Sequence, residues 1–522
     1  MRVLRGVLGV LLAVLGLVLA VVGAAAAFWL IGPDDTVYSG EQHLAVQGRS
    51  LVTTPNLVDQ HGPTLHVRAR SLDGKPVFVG VGRNFDVASY VETDAYTSLV
   101  QIKYPIAFST EEHTGSTTPL AAPATLDWWV AKTAGPGQQS LTWPIQDGPY
   151  QVVVMPAAGN APVDVQLEFG IEIPFAFLAS FAVLVIGLAL IALAWLTFRR
   201  RPRRTAADAV AQESATDKTP ATLRTALSVA AVLTLTAGCG GLPVDNTVTT
   251  LSRPAVTADT GRAVLTRYDE VVVKAARTRD LKAASTVEAD DQVERTQASY
   301  QLAGLRKAAV KPPAPFAQAT VAAPDYSSYP MRFAALTSGR QLGLWVRQSA
   351  GTPWRRTFTA TAAATLPPLT GAREIASDHT GPIATSFANF LSAGGNSPDR
   401  KLFTLGPEVT ALLADRAAQA KQNKALVASS TDRFTISSYP ATLLTPAGES
   451  LAFFTVTEKL FIATDGSRPI SWIDGDEAVL SSATYDSGLT ATYSHTVVLV
   501  VPAKGTARVV AFGSQVLKAG GY

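Results

Sequence analysis

Between residues 173 and 241 the chain passes through four kinds of sequence that no single globular fold accommodates. Residues 173–198 are uncharged and almost wholly apolar, closing on Ala194, Trp195, Leu196, Thr197 and Phe198. A hydrocarbon core of about 30 Å is crossed by roughly 20 such residues in a helix, so this stretch is long enough to span. Arg199, Arg200, Arg201, Arg203 and Arg204 follow at once, and basic charge beside the end of a span marks the cytoplasmic side. Residues 199–222 then read as a basic cytoplasmic linker, where Ala, Asp, Glu, Ser, Thr and Lys mix without a period. Residues 223–241 begin as an exported protein begins: Arg224, a short uncharged run, then Leu235, Thr236, Ala237, Gly238 and Cys239.

The N-terminus repeats the theme. Arg2 and Arg5 precede a run from Val7 to Ile31 without a charge. One reading is a cleavable signal peptide, cut near Ala24 to Ala27. The run exceeds the roughly 7–15 residues of a signal core, which favours a retained anchor over residues 1–32. Either way Arg2 and Arg5 stay inside and residues 33–172 lie outside. Within 33–172 apolar residues alternate in short runs, as in Leu65, Val67 and Ala69 or Val163, Val165, Leu167 and Phe169, with Asp73-Gly74 and Asp147-Gly148 as turns. Period two with such turns predicts an all-β sandwich. Trp128, Trp129 and Trp143 are either a binding platform or its core.

After a tether at 242–257, residues 258–305 show helical spacing through Val264, Leu265, Tyr268, Val271, Val272 and Ala275. Strands are expected at 316–322, 331–336, 341–348 and 354–360. The order then repeats, with helices at 382–391 and 407–427 and strands at 431–437, 450–462, 470–481, 496–501 and 507–512. Two tandem α+β domains, 258–366 and 367–522, are the expected organisation. The fold class is thus a multidomain membrane protein: an all-β sandwich between two transmembrane helices, a third signal-like or transmembrane segment, and a tandem α+β region.

The ending Leu235-Thr236-Ala237-Gly238-Cys239 resembles a bacterial lipobox, where a peptidase cuts before a cysteine that carries diacylglycerol. Ala237 and Gly238 are the small residues that motif requires; Thr236 stands where it prefers Leu. The alternatives are a third transmembrane helix and a buried core helix. The motifs Gly32-Pro33-Asp34-Asp35-Thr36-Val37, Lys75 through Gly82 and Gly148 through Met155, flanked by spans, look like a recurrent actinobacterial membrane-protein family covering roughly residues 1–204. The remainder looks like an actinobacterial lipoprotein. Its helix-then-sheet order resembles the cones of the SnoaL-like and nuclear-transport-factor-like superfamily, some of whose members hold small ligands or move protons with an Asp–His pair.

Motifs for chemistry are sparse. The lone cysteine excludes an intrachain disulfide and a Cys-rich metal site, and none of His43, His61, His66, His113, His379 and His495 falls at zinc-ligand spacing. Asp474, Asp476 and Glu477 form an acidic turn outside the spacing of a calcium loop, and Asp290, Asp291 and Glu294 read as a solvated helix face. No nucleophile elbow or phosphate loop is present. A net charge of +3, much of it in the arginine run, excludes a nucleic-acid surface. Trp345, Trp354 and Trp472 could line a cone pocket or fill cores. The expectation is a non-catalytic cell-envelope protein without cofactor or metal, facing the lipid bilayer and either an envelope protein or an apolar small molecule. A small-ligand module is the first alternative. A SnoaL-like enzyme is the second, and it requires His495 within hydrogen-bond reach of an Asp in a pocket.

Overall fold

A computed structural model describes residues 2–522 except 59, 104–106, 117–118, 200–243, 424–426, 465 and 467. It resolves into two compact units, Met1–Leu251 and Ser252–Tyr522. The lipobox residues Leu235, Thr236, Ala237, Gly238 and Cys239, with Arg200, Arg201, Arg203 and Arg204, lie outside the described residues.

In the first unit, helices α1 (Arg2–Ala25, continued by a wider turn to Ile31) and α3 (Ala176–Phe198) pack antiparallel. The seam is built from missing side chains. Gly9 abuts Thr197 and Phe198, Gly16 abuts Gly187 and Ile191, and Gly23 abuts Ser180 and Leu184. A Cβ on Gly16 would lie 2.7 Å from the Gly187 carbonyl oxygen, so the backbones meet only because both residues are glycine. Glycines spaced by seven keep to one face of a helix that winds gently about its partner. The outward faces stay apolar and exposed, from Val7 to Val22 on α1 and from Leu178 to Leu196 on α3. Asp35, just past the end of α1, ties the two helices together. Its carboxylate accepts from the backbone N–H of Phe175 (3.2 Å) and Phe177 (2.7 Å), filling donors that the start of α3 leaves open.

Between the helices run β1 (Thr36–Tyr38), β2 (Gln42–Val46), β3 (Leu51–Thr53), β4 (Gln60–His61), β5 (Thr64–Ser71), β6 (Val77–Arg83), helix α2 (Asn84–Val91), β7 (Tyr96–Lys103), β8 (Ala107–His113), β9 (Ala131–Gly135), β10 (Gln138–Pro144), β11 (Tyr150–Pro156) and β12 (Val163–Glu172). One sheet has the order β1-β12-β5-β10, with β2 also on β12; the other is β8-β7-β3-β11-β6-β9. Their alternate residues meet in one core: Leu65, Val67, Val165, Leu167 and Trp143 against Val79, Val81, Val152 and Val154. Trp128 and Trp129 are buried as well, their ring centroids 3.9 Å apart and tilted by 31°, beside Tyr90 of α2. Gly80 and Gly82 leave the room those two rings occupy; a Cβ at Gly82 would lie 2.7 Å from Trp128. The three tryptophans are therefore core, and no platform. A last strand, β13 (Val244–Asp245), adds to β4.

The second unit carries helices α4 (Ala258–Thr278), α5 (Leu281–Ala284) and α6 (Asp291–Leu305) where one long helical run was expected. Arg279 turns left-handed (φ 54°), and Asp280 caps α5 by accepting from Ala283 N–H at 2.9 Å. Strands β14 (Thr320–Ala322), β15 (Met331–Leu336), β16 (Gln341–Arg347) and β17 (Arg355–Thr361) form an antiparallel sheet in chain order. Helices α7 (Gly381–Ala393) and α8 (Pro407–Asn423) precede the long strands β18 (Ser429–Leu444), β19 (Ser450–Ala463), β20 (Gly488–Val501) and β21 (Ala507–Gly521), which pair consecutively. Of the strand expected at 470–481 only Ile470–Ser471 forms; Gly475–Leu480 is a helical turn opened by Asp476 and Glu477.

The two halves are not packed separately. Leu344, Phe358 and Ala360 of the first sheet share a core with Leu443, Phe453, Val498 and Val510 of the second, with Phe358 edge-on to Phe453 at 5.6 Å. Residues 252–522 are one compact unit, and the boundary expected at 366/367 crosses that core. The alternate face of the long strands, Phe454, Val456, Val497 and Leu499, buries Phe387 and Phe390 of α7 and Val409 of α8. On the outer side of the first sheet, Tyr268 of α4 meets Trp345 and Phe316.

Candidate functional site

Trp345, Trp354 and Trp472, weighed as either pocket or core, do not meet. Trp345 is fully buried, stacked on Phe333 at 5.3 Å, and Trp354 is edge-on to the same phenylalanine at 5.1 Å. Trp472 packs in a different cluster, with its indole N–H donated to the Gly520 carbonyl at 3.0 Å. The acidic turn is spoken for: Asp476 pairs with Arg306, and Glu477 accepts from Tyr493 at 2.5 Å. No group of three or more His, Cys, Asp and Glu suited to a metal occurs among the described residues.

What the structure does assemble is a basic cleft of about 180 Å³ in the second unit, between α4, α6, the loop at 310–313 and β17. Its floor is a buried carboxylate. Glu288 accepts from the Tyr268 hydroxyl (3.0 Å), the Arg356 guanidinium (2.8 Å) and the Thr296 hydroxyl (2.6 Å). Backbone bonds fix the pair, with Arg356 N–H on Val287 O at 2.7 Å and Ala289 N–H on Arg356 O at 3.0 Å. The Arg356 guanidinium lies 4.5 Å from the Tyr268 ring, while its Nε and Nη1 find no partner. Burial drives the Tyr268 hydroxyl well above its ordinary range, so it stays a donor.

Above that floor sits a second guanidinium of a different kind. Arg295, on α6, is 9% exposed and donates to the Ser494 carbonyl (2.7 Å) and hydroxyl (3.3 Å). No carboxylate among the described residues comes within ion-pair distance of it. Burial and the nearby Arg356 push it down to about 10, offset in part by Asp291. The side-chain oxygens Gln292 Oε1 and Gln341 Oε1, on the same walls, are likewise buried without a partner. Sequence reading passes over all five residues. Spacing gives no cue, because Glu288 and Arg356 lie far apart in the chain and converge only where the α5–α6 connection bridges to β17.

A second buried charge cluster lies on the helix-facing side of the long strands. His495 Nε2 and Glu458 Oε2 are 2.8 Å apart with both side chains 0% exposed, and Arg416 of α8 donates Nε to Glu458 Oε1 at 2.8 Å. Burial raises Glu458, but the bonds from His495 and Arg416 outweigh it and hold the carboxyl below its usual value. Burial lowers the His495 imidazole. Phe434, Tyr493 and Phe512 enclose the ring. The His–carboxylate pair that an enzyme of this order would need exists, with Glu in place of Asp, yet it is sealed in the core.

Fold and sites together define a mixed α/β protein of two compact units, with two helices long and apolar enough to cross a membrane, Val7–Ile31 and Ala176–Phe198. Residues 252–521, more than half of the 522, match the family described as a domain of unknown function, DUF8094, and the chain belongs to that family. The match covers both halves of the second unit. No curated protein matches the chain.

Proposed function

We propose that the protein is a non-catalytic, multi-pass cell-envelope membrane protein. Its β-sandwich and its 252–522 unit stand outside the cytoplasm in a binding or scaffolding role. The observation that carries this reading is the α1/α3 hairpin. Its exposed apolar faces end in Trp29 (90% exposed) and Phe175 (70%) beside the sandwich, and in Trp195 at the other end, where the Arg199 guanidinium lies 4.4 Å from the indole. Aromatic rings at both limits of an apolar band, with arginine beyond one of them, match the interfaces of a bilayer. Antiparallel packing brings the α1 start, where Arg2 and Arg5 fall, to the Arg199 end. The sealed His495–Glu458 pair supports the non-catalytic part. Cys239, lipidated or carried on a third helix, fits the same topology.

Thiol labelling of intact cells tests the arrangement. In a Cys239→Ser background, an impermeant maleimide should label Asp73→Cys and Ser471→Cys, and should reach Ser214→Cys only after lysis. Labelling of Ser214→Cys in intact cells would reverse the topology.

A small-ligand role is the second reading, favoured by the basic cleft over Glu288.

A further inference from the structure

The cleft beneath α6 carries more hydrogen-bonding capacity than the protein fills, and the surplus has a definite chemistry. Glu288 and Arg356 neutralise one another at the floor. Lys311 lies on the exposed loop, where water solvates it. That leaves Arg295 as the buried cation of the cleft without an ion-pair partner among the described residues, its charge offset only in part by the more distant Asp291. Holding such a charge out of water is unfavourable unless something anionic completes it. Alongside it, the carbonyl oxygens of Gln292 and Gln341 are buried acceptors awaiting donors. The Ser299 and Tyr300 side chains lie on the same walls. Neither the aromatic core nor the His495 cluster supplies a donor to those two amide oxygens.

We propose that this cleft binds a small hydroxylated monocarboxylate, its carboxylate on Arg295 and its hydroxyl groups donating to Gln292 and Gln341. One uncompensated guanidinium matches a single negative charge. A dianion such as phosphate would also meet the Glu288 carboxylate behind it. The volume sets the size: a cavity of roughly 150 Å³ accommodates a benzene-sized molecule, so about 180 Å³ suits a three- or four-carbon acid. The two amide acceptors set the other half of the specificity, since a plain aliphatic acid leaves them unpaired.

The full chain, purified in detergent, would be titrated calorimetrically with glycerate, lactate, acetate, glycerol and inorganic phosphate. Glycerate should bind tightest, acetate about tenfold or more weaker for want of hydroxyls, and glycerol not at all. Arg295→Met should abolish glycerate binding while leaving the ligand-free melting temperature unchanged or raised, because it removes an unpaired buried charge. Gln341→Leu, on a half-buried strand position, should weaken glycerate by about tenfold and leave acetate unaffected. Phosphate binding more tightly than glycerate would overturn the ligand class. Absence of glycerate binding would overturn the site, as would equal affinity in wild type and Gln341→Leu. A lowered melting temperature in Arg295→Met would do the same, since it would make that residue a structural bond to Ser494.

Discussion

Asp432 shows how a single side chain on the β18 edge of the His495 cluster governs stability. Burial and the neighbouring Glu458 carboxylate push its carboxyl from 3.8 up to about 6. Between those values the folded chain binds a proton that the unfolded chain has released, so this residue lowers stability as pH rises through the window, and its effect levels off above it. Glu458, held below its usual 4.5, acts oppositely and loses its contribution only as pH falls beneath that value. His495, held below 6.5, also withdraws stability as pH falls past 6.5. A wild-type pH profile therefore mixes opposing slopes, and the difference between wild type and Asp432→Asn isolates one of them. The variant should melt at the wild-type temperature near pH 4 and at a progressively higher one up to about pH 7. A difference that stays constant across the range would mean the carboxyl titrates normally. None of this is visible in the linear chain. Asp432, Glu458 and His495 sit on three strands, and strand register decides that their side chains share a face. The sequence marks the histidine for what it could do with a carboxylate, but not its burial.

At the level of elements, the sequence is most informative where hydrophobic period is strong and least where a cap decides the outcome. Strands at 331–336 and 341–347 lie where apolar runs between turns place them, and most residues of both are buried. The break between α4 and α5 depends on Arg279 accepting a left-handed conformation before the Asp280 cap, a local choice that the surrounding helical spacing outvotes. The turn at 475–480 is similar: Asp476 and Glu477 favour a helix start, and the alternation of Ile470 and Trp472 just before it masks it. The apolar runs of α1 and α3 are legible as candidate spans, whereas their pairing is not, since it depends on glycines that a hydropathy reading treats as neutral. That pairing is directly testable. A Cβ at Gly9 would lie 2.5 Å from the Thr197 hydroxyl. In a Cys239→Ser background, the Gly9→Cys and Thr197→Cys pair should cross-link within one chain when membranes are oxidised, and Leu8→Cys with Thr197→Cys should cross-link far less. Failure of the first pair, with the mature chain lacking its first residues by mass, would identify a cleaved signal peptide.

On the scale of the whole molecule the open matter is whether one polypeptide persists, and the first unit bears on it. The segment after the lipobox-like residues is not a free tether once it reaches Val244. It adds β13 to β4 through Val244 and His61, and Asp147 accepts from the Thr247 backbone (2.9 Å), the Thr247 hydroxyl (2.8 Å) and the Val248 backbone (3.3 Å). Those bonds, the Thr247 hydroxyl foremost, hold the Asp147 carboxyl below its usual range. Leu251 then packs on the core between the two sheets, close enough to Gly148 that a Cβ there would meet it at 2.6 Å. Cleavage before Cys239 would leave this whole segment on the downstream fragment, so strand addition and a half-buried leucine would hold the two products together without a peptide bond. With a tag at each end, wild-type cells should then show two fragments that co-purify in mild detergent, and Cys239→Ala or a lipoprotein signal-peptidase inhibitor should restore one full-length band. Combining Asp147→Ala with Leu251→Asp should leave cleavage intact and abolish co-purification, because one change removes the acceptor of three bonds and the other places a charge in the core. A single full-length band in every lane would rule out the lipobox and leave a three-span chain. Two fragments that separate in the wild type would show instead that the docked segment is too weak to join them, so any joint action of the two units would then depend on the bilayer alone.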